Sequence, residues 1–277
     1  MEEIKIKDVL YTNGFNFKKQ FGQNFITDKS LLNSIVELSG TEKGSTVVEV
    51  GCGAGTLTRA IAARAGNVIA FEIDRDLQPV LAQTLCGVEN CEVIFRDFMR
   101  VDMAEFESGL TSYTVIANLP YYITTPLIMR FIEQSKKCRS LTVMVQEEVA
   151  DRLCAKENTA DYGAITAAIA LRATCKVVKK VPRTLFYPRP NVDSAVVKID
   201  ICDGILPVKD GEMYKKVVKA AFLSRRKTLE NNLMQAFKVS RDRARGWLEG
   251  AQIDIATRGE ALSPTQFARL SDIISLS

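Results

Sequence analysis

No histidine occurs anywhere in the 277 residues, and that absence removes whole classes of chemistry. A Ser-His-Asp or Cys-His nucleophile cannot be assembled, nor can a metal site with imidazole ligands. The seven cysteines (52, 86, 91, 138, 154, 175 and 202) are odd in number, scattered, and contain no C-x-x-C pair. They are expected to be reduced thiols packed as small hydrophobes, with no metal bound. No apolar run approaches the roughly 18 residues of a membrane span. The opening MEEIKIKDVLYTNG has no apolar core of the signal-peptide kind. A cytoplasmic protein without a membrane partner is the expectation.

What is present is ordinary in amount and uneven in placement. Apolar residues at 47% and charged residues at 25% exclude a disordered or collagen-like chain. The length accommodates a large domain and a small one. The net charge is only +4, yet residues 172–190 carry six basic groups and no acid, and residues 211–245 carry ten basic against three acidic. The rest of the chain is therefore at −9. A polyanion-binding face on an acidic body needs this segregation, although a solvated basic helix surface produces it too.

Short apolar runs at 46–50, 68–73, 91–95, 113–117 and 141–145 alternate with helical stretches at about 56–65, 76–85 and 126–134. Buried strands separated by helices predict an α/β fold with a parallel sheet covered on both faces. After a helix near 163–173, runs at 177–181 and 195–201 predict an antiparallel edge pair. From 212 onward only helical periods occur, at about 212–223, 227–237, 240–249 and 264–274. The last opens on Ser263-Pro264-Thr265-Gln266, a capping box with proline at the first helical position. The predicted division is 1–203 for the α/β domain with an N-terminal arm and 204–277 for a small all-helical domain.

Three features mark the mouth of the sheet. Glu49-Val50-Gly51-Cys52-Gly53-Ala54-Gly55 joins the first strand to a helix, where glycines let a ligand approach the backbone. Glu72 ends the second strand, where an acid accepts from a ribose diol, and Asp97 follows the third, within reach of an adenine amino group. The G-x-G-x-G spacing and the lack of a following Lys-Ser/Thr favour a cofactor without a pyrophosphate, S-adenosylmethionine being the common one. The fourth strand ends in Asn118-Leu119-Pro120-Tyr121, placing an amide, a turn carbonyl and an aromatic face together. An adenine amino group is a poor nucleophile because its lone pair is delocalised. Acceptors at Asn118 and Leu119 favour a pyramidal nitrogen, and Tyr121 offers a stacking face for an extracted base. Such a displacement runs on positioning and needs no histidine.

Asn118-Leu119-Pro120-Tyr121 resembles the (N/D/S)-(P/L)-P-(Y/F) signature of amino-group methyltransferases, in the variant of the ribosomal RNA adenine N6-dimethyltransferases. Lys18-Lys19-Gln20-Phe21-Gly22-Gln23-Asn24-Phe25-Ile26, the run from Gly51 to Thr58, the run from Phe186 to Ser194, and the run from Ala221 to Leu229 resemble four further motifs of that family, in order and over nearly the whole chain. The resemblance implies a Rossmann-like class I methyltransferase sheet and a helical RNA- and ribosome-binding domain. It also implies transfer of methyl groups from S-adenosylmethionine to N6 of two adjacent adenosines in the 3′-terminal hairpin loop of small-subunit (16S) rRNA, late in assembly of the 30S particle. Carried over by position, Asn24, Ile26, Gly51, Gly53, Glu72, Asp97 and Asn118 would contact the cofactor, and Tyr121 and Phe186 would sandwich the target adenine. Lys18, Lys19, Arg225, Arg226 and Lys227 would meet RNA. Asn191 stands where the family has lysine, which removes one charge near the RNA. Tyr122 reads as packing, and Glu147 and Glu148 as helix N-terminal acids. The expected partner is the small-subunit precursor, met by a monomer. The rivals are a methylase of a large-subunit rRNA adenine and an assembly factor whose catalytic core is idle. The Val192-Asp193-Ser194 and Arg225–Leu229 motifs disfavour the first, and the intact glycine turn, Glu72, Asp97 and Asn118 disfavour the second.

Overall fold

The computed structural model describes residues 6–15, 18 and 23–277; Lys19, an expected RNA contact, lies outside them. Along the chain run α1 (Ile6–Thr12), β1 (Phe25–Ile26), α2 (Lys29–Ser39), β2 (Thr46–Val50), α3 (Thr56–Ala62), β3 (Asn67–Glu72), α4 (Gln78–Thr84), β4 (Cys91–Phe95), α5 (Met103–Glu107) and β5 (Tyr113–Asn118). Then come α6 (Tyr121–Gln134), β6 (Cys138–Gln146), α7 (Glu147–Leu153), α8 (Ala164–Ile169), β7 (Ala173–Val181), β8 (Phe186–Tyr187) and β9 (Ser194–Ile201). Four helices close the chain: α9 (Gly211–Ala221), α10 (Leu229–Phe237), α11 (Arg241–Gly250) and α12 (Pro264–Ser275).

Seven strands form one sheet in the order β4-β3-β2-β5-β6-β9-β7. Strands β4 to β6 are parallel, with β2 at the centre paired to β3 on one side and β5 on the other. β9 runs antiparallel to β6, and β7 lies beyond it at the edge. The central strands read as continuous apolar runs because helices cover both faces: Val47, Val48, Val115, Ile116, Leu141 and Val143 have no solvent exposure. A separate two-stranded ribbon pairs β1 with β8, Ile26 opposite Phe186.

Local chemistry accounts for the helix ends. The Asp28 carboxylate accepts from Leu31 N at 2.6 Å to cap α2, and Gly40 ends that helix in the left-handed conformation. Ser263 and Gln266 form the predicted capping box of α12. One boundary departs from expectation in a way that matters. Proline favours the first turn, so the sequence predicts α6 from Pro126, but the helix begins at Tyr121, directly after Pro120, with Pro126 inside it. Tyr121 therefore sits on the first helical turn instead of in a loop.

The chain divides into two compact units, residues 1–150 with 176–201, and residues 151–175 with 202–277. The helical unit thus takes in 151–175, which the sequence reading assigned to the α/β domain. The reason is packing: Tyr162, Ala167 and Leu171 are buried in one core with Tyr214, Leu233, Trp247 and Phe267. Tyr162 also donates to the Leu262 carbonyl, and Tyr214 to the Ala167 carbonyl. Among the described residues no helix is long and apolar enough to cross a membrane.

Candidate active site

Strand order turns back at β2: the chain goes outward through β3 and β4, then returns to place β5 on the other side. Open α/β sheets bind ligands beyond the carboxyl ends of strands at such a switch point. Register brings the two motifs together there, since Val50 pairs with Ala117, leaving Gly51 beside Asn118. Gly51 has φ +75°, and its N–H and that of Cys52 both donate to the Phe71 carbonyl, at 2.8 and 3.0 Å. A Cβ on Gly51 would stand 2.6 Å from Leu119 Cδ2, and one on Gly53 would stand 2.8 Å from Phe25 Cε1. The turn has to be glycine because the Asn118-Leu119-Pro120-Tyr121 segment and the residues around β1 are packed onto it.

These elements enclose a cavity of about 310 Å³. Asn24, Ile26, Gly51, Gly53, Glu72, Asp97, Asn118, Tyr121 and Phe186 all line it, so the structure gathers every expected cofactor and base contact. Glu72 Oε2 accepts from Gly53 N at 2.8 Å, and its Oε1 accepts from Ile73 N and Asp74 N, both at 2.8 Å. Burial raises its carboxyl above the usual range, and these N–H donors oppose the rise. Asp97 caps the turn after β4, Oδ1 accepting from Met99 N at 2.9 Å, with Arg100 beside its other oxygen.

Asn118 is half-buried at the end of β5. Its Nδ2 donates to the Asn24 carbonyl at 3.1 Å. That bond fixes the amide, and Oδ1 accepts nothing from the described residues. Tyr121 is half-buried, its hydroxyl 2.9 Å from Ser194 Oγ. Phe186 is 5% exposed and belongs to the core around Ile26 and Ile35, yet it also forms cavity wall, held there by the β1–β8 ribbon.

Two residues were misread or missed in the sequence. Tyr122 is 64% exposed at the cavity rim, so it is not the packing residue its apolar ring suggested. Glu49 lines the cavity at the end of β2, 1% exposed, and burial pushes its carboxyl up to about 8. The only signal was a carboxylate inside an apolar strand.

The basic candidates differ from one another. Lys18 pairs with Asp74 at 2.7 Å and Asp76 at 2.6 Å, which raise its pKa. In the helical unit, Arg225 Nη2 donates to the carbonyls of Ala160 and Tyr162 at 2.7 and 2.9 Å, and its Nε lies 3.5 Å from Glu260. Lys227 Nζ donates to Gln235 at 3.2 Å. Arg226 is exposed and makes no hydrogen bond or ion pair with a described residue. Asn191 is exposed, and its carbonyl accepts from Arg183 at 2.6 Å.

Among the described residues the cavity is lined by three carboxyl groups, Glu49, Glu72 and Asp97, and one guanidinium, Arg96. A pyrophosphate would meet Glu72 and Asp97 beside that one guanidinium, whereas a cationic nucleoside is drawn to the two acids. The glycine turn, Glu72 at the end of β3 and this carboxyl-rich lining fit S-adenosylmethionine.

The sequence profile of the family described as "Ribosomal RNA adenine dimethylase" matches residues 14–276. The chain is 45% identical over 276 residues to the ribosomal RNA small subunit methyltransferase A of Streptococcus thermophilus, covering 97% of this chain and 95% of that protein. It is 41% identical over 278 residues to the protein of the same name from Geobacillus thermodenitrificans, covering 98% and 95%. Among solved structures, the 23S rRNA methyltransferase ErmE superposes with a TM-score of 0.71 at 27% identity, covering 91% of this chain and 99% of that one. A dimethyladenosine transferase from Plasmodium falciparum superposes with a TM-score of 0.76 at 22% identity, covering 89% and 95%.

Proposed function

Because the chain belongs to the ribosomal RNA adenine dimethylase family, S-adenosylmethionine-dependent methyltransferases acting on rRNA, we propose that it dimethylates N6 of two adjacent adenosines in the 3′-terminal hairpin loop of small-subunit rRNA. Its substrate is the precursor of the small subunit in the cytoplasm, and it works as a monomer. The observation that carries this reading is the Asn118 amide, tied to the Asn24 carbonyl through Nδ2 with Oδ1 left to accept, at the edge of an acidic cavity.

When bound, S-adenosylmethionine supplies an electrophilic methyl group on a positively charged sulfur. Glu72 and Asp97 would hold the nucleoside part, and the Gly51–Gly53 turn would let it lie against backbone. Tyr121 and Phe186 face the extracted adenine from two sides. Asn118 Oδ1 and the Leu119 carbonyl accept its N–H groups, which draws the nitrogen toward a pyramidal shape and aims its lone pair. Once methylated, the nitrogen is acidic and releases its proton to water, so no side-chain base is required. Arg226 and Lys227 meet RNA phosphate, while Arg225 serves mainly to hold their loop.

The test is methyl transfer from labelled S-adenosylmethionine to immature small and large subunits, followed by mapping of the modified rRNA. Labelling of N6-dimethyladenosine in the small subunit is expected, and labelling of the large subunit alone would establish the rival reading. Asn118→Ala should lower turnover by about 10²-fold or more while particle binding stays nearly unchanged. Parallel loss of both would refute the role given to Asn118.

A further inference from the structure

Tyr121 needs more than a place in the cavity wall. A ring on the first turn of a helix is free to turn about two side-chain bonds, and a base stacks well only on a ring held at one angle. The structure supplies a tether. Ser194 opens β9, has no solvent exposure, and its Oγ lies 2.9 Å from the Tyr121 hydroxyl. Its own position is fixed by the sheet, since Ser194 pairs with Gln146 of β6. The preceding residue is fixed as well: Asp193 Oδ1 accepts from Arg183 N at 2.9 Å, and its carbonyl accepts from Glu147 N at 3.1 Å.

We infer that Ser194 is a positioning residue for base methylation, holding the Tyr121 ring at the angle required for stacking through the hydroxyl–hydroxyl bond. The inference rests on Tyr121 being one wall of the adenine site. A single segment then builds both walls, because residues 183–194 contribute Phe186 directly and Tyr121 through Ser194. Burial raises the Tyr121 hydroxyl above its usual pKa, so both hydroxyls stay protonated and either can donate. An alanine at 194 removes the tether without removing the ring, and a phenylalanine at 121 does the same from the other end.

The experiment is a double-mutant cycle on full-length protein with immature small subunits and S-adenosylmethionine, reading kcat, KM for the particle and cofactor affinity. Ser194→Ala and Tyr121→Phe are each expected to lower kcat by about 10-fold, the scale of a misaimed reacting group, with particle KM and cofactor affinity within about twofold. The double variant should lose no more than either single one, because both remove the same bond. Full kcat in Ser194→Ala, or losses that multiply in the double variant, would overturn the inference. A general packing defect would instead lower thermal stability and cofactor affinity together, and that result also counts against it. Tyr121→Ala separates the two levels: full activity in that variant would sink the aromatic wall itself, whereas its loss alongside a fully active Ser194→Ala would sink only the tether.

Discussion

Replacing Gly51 by alanine tests the packing of the glycine turn against the Asn118-Leu119-Pro120-Tyr121 segment. The new methyl would stand 2.6 Å from Leu119 Cδ2, about 1 Å inside a comfortable carbon–carbon contact. Two costs follow from geometry. Holding alanine at φ +75° costs about 1–2 kcal/mol. Relieving the overlap costs a further ~1–3 kcal/mol, because Leu119 is 9% exposed and cannot swing into solvent. The sum, about 2–5 kcal/mol, lowers Tm by roughly 2–4 °C for each kcal/mol. Leu119 is also the neighbour of Asn118, so its displacement moves the amide, and turnover should fall further than stability alone accounts for. Calorimetry on four proteins apportions the terms: wild type, Gly51→Ala, Leu119→Ala and the double variant. In the Leu119→Ala background the struck atom is gone, so adding Gly51→Ala should cost only the ~1–2 kcal/mol of backbone strain. An equal cost in both backgrounds, or none in either, would refute the contact.

Other outcomes follow from single side chains. Arg225→Ala should cost about 1–3 kcal/mol of stability through loss of its two carbonyl bonds, seen as a lower denaturation midpoint. Arg226→Ala should leave stability unchanged and reduce the slope of log affinity against log salt by about one, measured by filter binding of rRNA. Glu49 has a folded pKa of about 8 against an ordinary 4.5, so its contribution is fully present below about 4.5 and lost as pH rises toward 8. Glu49→Gln removes that dependence: its Tm advantage should be absent near pH 4.5 and grow toward pH 8, bounded by about 5 kcal/mol. A gap of the same size at both ends would show that Glu49 is ionised in the folded protein.

The sheet and its mouth were legible because their signals are local. Continuous apolar runs such as 46–50 mark central strands, and the glycine turn and Asn118-Leu119-Pro120-Tyr121 carry their own chemistry in sequence. Residues whose roles depend on pairing across the chain gave no such signal. Ser194 stands in a motif, but nothing in the motif says what its hydroxyl meets until β9 brings it to Tyr121, 73 positions away. The carbonyls of Ala160 and Tyr162, to which Arg225 donates, are likewise invisible until the chain folds. The α2 helix was missed, although Leu31, Leu32, Ile35 and Val36 form its buried stripe. The helical unit's share of 151–175 was invisible for the same reason, since the core that claims Tyr162 and Leu171 is assembled from residues far along the chain.

Arg225 has a consequence for how its neighbours act. By fastening the 224–228 turn to backbone at 160 and 162, it removes main-chain freedom from Arg226 and Lys227 before any nucleic acid arrives. Ordering a flexible basic loop on contact would consume part of the Coulombic gain as lost entropy. Here much of that ordering is already done in the free protein, so under the proposed RNA contact Arg226 and Lys227 would meet phosphate with less entropy left to lose.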